Sequence, residues 1–81
     1  MDVLYFAWVR ERIGLPRERV ETGAATVMAL VEELRGREDR YSAAFADLAA
    51  LRVAVDQVMV GFDAPLTGAR EVAFFPPMTG G

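Results

Sequence analysis

Two consecutive prolines, Pro76 and Pro77, follow the apolar run Val72-Ala73-Phe74-Phe75, and they limit any sheet this chain can build. Proline has no N–H for a strand ladder and its φ is fixed near −65°, so a central strand cannot run on through the pair. The sheet is expected to stop at Phe75, giving a folded body over residues 1–75 and a flexible C-terminal tail over residues 76–81. Fully extended, Pro76-Pro77-Met78-Thr79-Gly80-Gly81 reaches at most ~20 Å, at ~3.3–3.6 Å per residue. Gly80 and Gly81 carry no Cβ, so the tail is thinnest, and its carboxylate least hindered, at the tip. Such a tail suits insertion into a partner while the body stays outside, with the terminal carboxylate as the working group. Glycine-rich termini are also commonly frayed ends. The residues taken alone leave both readings open.

The side chains narrow the chemistry further. The sequence has no cysteine and no histidine, and all 9 of its basic residues are arginines. That removes disulfides, thiolate nucleophiles, the commonest general base and metal ligand, and any lysine for a Schiff base. Independent catalysis and a resident metal are therefore not expected. A net charge of −3 without a basic cluster argues against nucleic acid as the partner. No apolar run approaches the length of a membrane span, and the amino terminus, with Asp2 where a basic segment would stand, does not resemble a secretory signal. The expected location is the cytoplasm. At 81 residues the chain makes one domain with a small core, burying only roughly 60–65% of its unfolded surface. Its 53% hydrophobic content leaves room for an extra apolar surface that meets a partner.

The periodicities supply the body. Val3-Leu4-Tyr5-Phe6-Ala7-Trp8 reads as a central strand, apolar on both faces. Val9 and Ile13, at i and i+4, mark one short helical turn that ends at Gly14. Arg17 to Thr22 is polar and alternating, as an edge strand paired to the first would be. Thr26 is the expected N-cap of a helix from Val27 to Arg35, whose Val27, Leu30, Val31 and Leu34 form one apolar stripe, with Gly36 as its end. A second helix is expected between Asp39 and Ala50, with Tyr41, Phe45 and Leu48 on one side. Val53 to Val55 and Val58 to Val60 flank a tight Asp56-Gln57 turn, and Glu71 to Phe75 is the last strand. In that strand Val72 and Phe74 point one way and Ala73 and Phe75 the other. With helices on one face only, one phenylalanine must lie at or near the surface, as a docking anchor or as a second core residue under a loop. The order is that of an α+β, ubiquitin-like β-grasp fold: a mixed sheet with helices packed on one face, the first and last strands adjacent in its centre, and an extended C-terminal tail.

Phe6-Ala7-Trp8-Val9-Arg10-Glu11, the Leu66 to Val72 turn, and above all Ala73-Phe74-Phe75-Pro76-Pro77-Met78-Thr79-Gly80-Gly81 resemble the small, sulfur-carrying subunits of molybdopterin synthase. The likeness spans essentially the whole chain. The Gly-Gly end alone is shared with the thiamine-pathway sulfur carrier and with ubiquitin-like modifiers, whereas the Phe-Phe-Pro-Pro-x-Thr-Gly-Gly ending is far more specific. The resemblance implies that the Gly81 carboxylate is adenylated by an ATP-dependent activating enzyme and converted to a thiocarboxylate with sulfur from a donor protein. The tail, with Gly80 at its narrow tip, then enters the large catalytic subunit to give sulfur to the pterin precursor. It implies a cosubstrate more than a catalyst, no permanently bound cofactor, and a heterotetramer with a central dimer of large subunits.

The same resemblance assigns partner binding to Phe75 and to the tail residues Pro76, Pro77, Met78 and Thr79. Met59 joins Phe75 if it faces the same way, core filling being the other reading. Arg10 is assigned an ion pair across an interface, solvated surface charge being the commoner case. At two turns the chain departs from the family pattern. Val55-Asp56 stands for the usual Val-Asn, and Ala69-Arg70-Glu71, with the glycine one place earlier at Gly68, for the usual Gly-Asp-Glu. Two other functions fit the same end group: a ubiquitin-like modifier attached to lysines of target proteins, and the sulfur carrier of another pathway such as thiamine synthesis. A purely binding β-grasp module would not need the glycines at all.

Overall fold

The computed structural model describes residues 1–77. Within them the strand before the prolines is β5, Glu71–Phe75, at the middle of a five-stranded sheet. The other strands are β1 (Asp2–Tyr5), β2 (Arg17–Arg19), β3 (Arg52–Val55) and β4 (Val58–Val60), in the spatial order β2-β1-β5-β3-β4. β1 runs parallel to β5, with Val3 beside Val72 and Tyr5 beside Phe74; the other pairings are antiparallel. A parallel pair needs a long crossover, and here three helices lie between its two strands: α1 (Ala7–Ile13), α2 (Val27–Arg35) and α3 (Asp39–Ala44).

The helices cover one face of the sheet. Val3 and Tyr5 of β1, Val53 of β3 and Val72 and Phe74 of β5 meet Val9, Ile13, Leu30, Val31, Leu34, Tyr41 and Phe45 in a single core. Phe74 sits at its centre, stacked on Tyr5 at 6.4 Å between ring centroids and edge-on to Phe45 at 4.9 Å. α2 forms as its stripe requires: the Thr26 hydroxyl accepts from the Ala29 amide at 3.1 Å, and Val27, Leu30, Val31 and Leu34 are all buried. Gly36 closes it, donating its amide to the Glu32 carbonyl. No helix among the described residues is long and apolar enough to cross a membrane.

Four elements differ from expectation. β1 ends at Tyr5 instead of continuing to Trp8, because the Phe6 amide makes the last ladder bond, to the Phe74 carbonyl at 3.1 Å, and Ala7 then turns the chain with φ +52°. The Phe6 carbonyl accepts from both Val9 and Arg10, so α1 begins at Ala7 and is longer than one turn. It ends at Gly14, whose φ of 88° suits glycine, and Arg40 caps it by donating Nη1 to the Ile13 carbonyl at 2.7 Å. β2 stops at Arg19, and the next residue, Val20, is buried in the core. The helix expected over residues 39–50 is split into α3 and a 3-10 turn at Leu48–Ala50. Arg35 donates through Nε and Nη2 to the Phe45 carbonyl and ends α3 there, while the Asp47 carboxylate accepts from the Ala49 amide and starts the next turn.

The departures from the family pattern at the two turns are linked. Asp56 and Gln57 have φ of 49° and 70°, the two left-handed residues of a tight hairpin turn, which aspartate tolerates. Asp56 Oδ1 accepts from the amides of Arg70 and Glu71, each at 3.0 Å, and the Asp56 amide donates to the Glu71 carbonyl. The β3–β4 turn is thereby tied to the start of β5, and Gly68, with φ 75°, reverses the chain just before it.

On the helix side the buried edge of the sheet is closed by Glu18. Its Oε2 accepts from the Tyr5 hydroxyl at 2.8 Å and the Tyr41 hydroxyl at 2.6 Å, and its Oε1 lies 3.6 Å from Arg37 Nη1. Burial pushes both phenols above their ordinary pKa, and donation to Glu18 and its charge push them the same way. Both tyrosines ionise near pH 10 when unfolded and above that when folded, so their contribution is complete below about pH 10 and is lost as pH rises beyond it. Denaturant midpoints should therefore fall steeply above about pH 10, and Tyr5→Phe should flatten the fall while costing about 1 kcal/mol near neutrality. An equally steep fall in Tyr5→Phe would contradict this account of the cluster.

Candidate docking face and tail root

Strand alternation decides what lies opposite the helices. Because Val72 and Phe74 face the core, Ala73 and Phe75 face the other way. Register carries that face across the sheet: Ala73 pairs with Ala54, Ala54 with Met59, and on the other side Ala73 lies beside Leu4. One row of the open face is therefore Leu4-Ala73-Ala54-Met59. The two alanines make a low floor, and Met59 rises at the edge, 65% exposed.

The next row holds Phe75, paired with Arg52 of β3. Beside it, where β1 gives way to α1, stands Phe6, 47% exposed. Phe6, Ala7, Ala73, Phe75, Pro76 and Pro77 enclose an apolar groove of about 400 Å³. It lies at the root of the tail. Pro76 and Pro77 line it because they leave the ladder, as their missing N–H groups require. Ala7 holds its left-handed φ at a cost of roughly 1–2 kcal/mol. That local strain sits in the wall of the groove, where the chain passes from β1 into α1.

The structure brings Phe75, Met59, Pro76 and Pro77 to one face. Phe75 is half-buried and lines the groove, and Met59 is on the surface and fills no core space. Arg10 lies apart from them. It is exposed on α1, lines a separate shallow cavity with Glu11, Gly14, Leu15 and Pro16, and makes no ion pair among the described residues. Met78, Thr79, Gly80 and Gly81 lie outside the described residues. Sequence reasoning missed Phe6, which it placed inside a strand, and the alanine floor. Alternation from the core residues Val3 and Tyr5 puts Leu4 and Phe6 on the opposite face, and applying that parity beside the parallel partner Phe75 would have found both.

Around the groove the open face is apolar, and strand residues carry the charged groups at its margins. An exposed apolar groove of this kind is the sort of surface that meets another protein.

Comparison with known proteins gives a consistent result. The model of the ThiS family matches residues 3–81. The chain is 47% identical over 81 residues to the molybdopterin synthase sulfur carrier subunit of Escherichia coli, covering 100% of this chain and 99% of that one. It is 36% identical over 81 residues to the subunit of the same name from Haemophilus influenzae, with the same coverage of 100% and 99%. Among solved structures it is similar to SAMP1 from Haloferax volcanii, with a TM-score of 0.76, 28% identity, and coverage of 100% of this chain and 98% of that chain. The H. volcanii small archaeal modifier protein 1 structure, at a TM-score of 0.65 and 22% identity over 96% of this chain and 97% of that one, shares the fold. The mixed sheet with helices on one face is the ubiquitin-like β-grasp of these neighbours, and the chain belongs to the ThiS family, together with the molybdopterin synthase sulfur carrier subunits that it resembles over its full length.

Proposed function

We propose that this chain is the sulfur carrier of a molybdopterin synthase and that the groove-bearing face docks the large catalytic subunit. The observation that carries the reading is full-length similarity to two sulfur carrier subunits, at 47% and 36% identity. The apolar groove at the root of the Gly-Gly tail supports it, because a partner seated there stands where the tail leaves the body.

The chemistry follows from the end group. A terminal carboxylate has a pKa near ~3.5, so at neutral pH it is an anion and a poor electrophile. An activating enzyme joins the Gly81 carboxylate to the AMP part of ATP and releases pyrophosphate. A persulfide on a donor protein then attacks the acyl carbon and displaces AMP, and a second thiol of the donor breaks the S–S bond of the resulting acyl disulfide, releasing the thiocarboxylate and leaving a disulfide on the donor. The sequence holds no cysteine, so that sulfur comes from elsewhere. The tail enters the large subunit, whose groups perform the acid–base steps as sulfur passes to the pterin precursor. In this scheme the body positions the tail, the synthase is a heterotetramer around a dimer of large subunits, and the process is cytoplasmic.

The modifier reading keeps a place because a fold neighbour is itself called a modifier protein. The two differ in where the activated carbonyl goes. Incubation with activating enzyme, ATP, a sulfur donor carrying labelled sulfur, the large subunit and pterin precursor should move label into the pterin product. Unlabelled pterin, with the chain linked to lysines of other proteins, would reject the carrier reading.

Phe75→Ala tests the docking face. The ring is outside the core, so the fold should persist while affinity for the large subunit falls by about 2 kcal/mol or more, as for a buried aromatic anchor. Titration calorimetry showing wild-type affinity would remove Phe75 from the interface.

A further inference from the structure

The arginines sort by what holds them. Arg17 and Arg19 share Asp2, Arg35 pairs with Glu32, Arg37 with Glu18 and Arg40 with Glu38, and Arg12 lies over the Trp8 ring at 4.6 Å. Arg10, Arg52 and Arg70 have no acidic or aromatic partner among the described residues, and of these three only Arg52 is paired with Phe75. It is exposed on the open face, directly across from Phe75, at the end of the sheet where the tail departs. Its Nη1 donates to the Leu51 carbonyl at 2.8 Å and the Ala49 carbonyl at 3.3 Å, while Nε and Nη2 have no partner among the described residues. One corner of the guanidinium is thus tethered, and the Nε–Nη2 edge is left to engage another group. That edge is a fork with the spacing of a carboxylate, and a tethered fork loses less freedom when it is used.

We propose that Arg52 is a specificity-determining contact, gripping a single aspartate or glutamate side chain of the large catalytic subunit at the entrance through which the tail passes. The proposal rests on the docking face described above. A partner lying on Phe6, Phe75 and the prolines brings its rim over Arg52, because Arg52 is the residue across the ladder from Phe75. The apolar groove cannot fix rotation, since apolar contact is non-directional. A bidentate ion pair at its edge does, and sets the partner so that its channel meets the tail. Long-range attraction gives no such help: the net charge of −3 opposes an acidic partner surface. The contact therefore works locally, on orientation and lifetime.

The test measures binding of purified large subunit from the same organism to the full chain at low and high salt, for wild type, Arg52→Gln, Arg52→Glu, Arg52→Lys and Phe75→Ala. Arg52→Gln should weaken binding about tenfold and flatten its salt dependence, and Arg52→Glu about a hundredfold. Arg52→Lys should recover only part of the loss, because it restores charge without the fork. Unfolding midpoints of the Arg52 variants should stay close to wild type, which separates the contact from a structural role. Wild-type affinity and salt dependence in Arg52→Gln would overturn the proposal. If Phe75→Ala is impaired in that case, the docking face stands without Arg52; if it is not, the docking face fails as well.

Discussion

Deleting Gly81 should abolish sulfur transfer and leave the stability of the body unchanged. Among the described residues the last in the core is Phe74, and Phe75, Pro76 and Pro77 are only half-buried. Gly81 has no side chain to contribute to a hydrophobic cluster. The functional effect has a different scale. Truncation moves the terminal carboxyl back by one residue, ~3.3–3.6 Å of reach. A misplacement of even ~1 Å at a reacting group costs on the order of a hundredfold in rate. Transfer by the truncated chain should therefore fall at least about a hundredfold. Thermal melts and single-turnover transfer assays on the same preparation check both halves. A large drop in melting temperature, or transfer near the wild-type rate, would contradict the assignment of the tail as the working part.

Phe74→Ala should have the opposite profile. Its ring is fully buried between Tyr5 and Phe45 and joins β5 to the helical layer. Truncating a buried phenylalanine costs about 3–5 kcal/mol, from lost transfer free energy and the cavity left behind. A domain of this size has only ~5–15 kcal/mol of stability in total. At ~4–8 °C per kcal/mol the melting temperature should drop by at least about 12 °C. Phe75→Ala, one residue on, should shift it by far less, because the alternation of β5 puts that ring on the open face. Denaturant unfolding of the two variants side by side measures the contrast. Equal losses would mean that the two faces of β5 are not distinguished as described.

Most of the fold was legible because its signals are local. The stripe of α2 with its Thr26 cap, the Asp56-Gln57 turn and the proline stop after Phe75 depend on neighbours within a few residues. The elements that departed from expectation are fixed by partners far along the chain. α3 ends where Arg35 reaches the Phe45 carbonyl, and β1 ends where Phe6 spends its amide on Phe74. No periodicity encodes either bond. The docking face was half legible for the same reason. The alternation of β5 presented Phe75, but Met59 joined it only through the register of β3 and β4, and Arg52 became visible only when pairing set it across from Phe75. The aspartate at position 56, a departure from the family turn, proved to be the acceptor that ties two turns together.

The central claim is that the C-terminal glycine carries sulfur, and the mass of the intact chain tests it most directly. After incubation with activating enzyme, ATP and a sulfur donor, mass spectrometry should show one oxygen replaced by sulfur, localised by fragmentation to Gly81. An unchanged mass in the free protein, with the remainder of the chain found only in isopeptide linkage to other proteins, would contradict it.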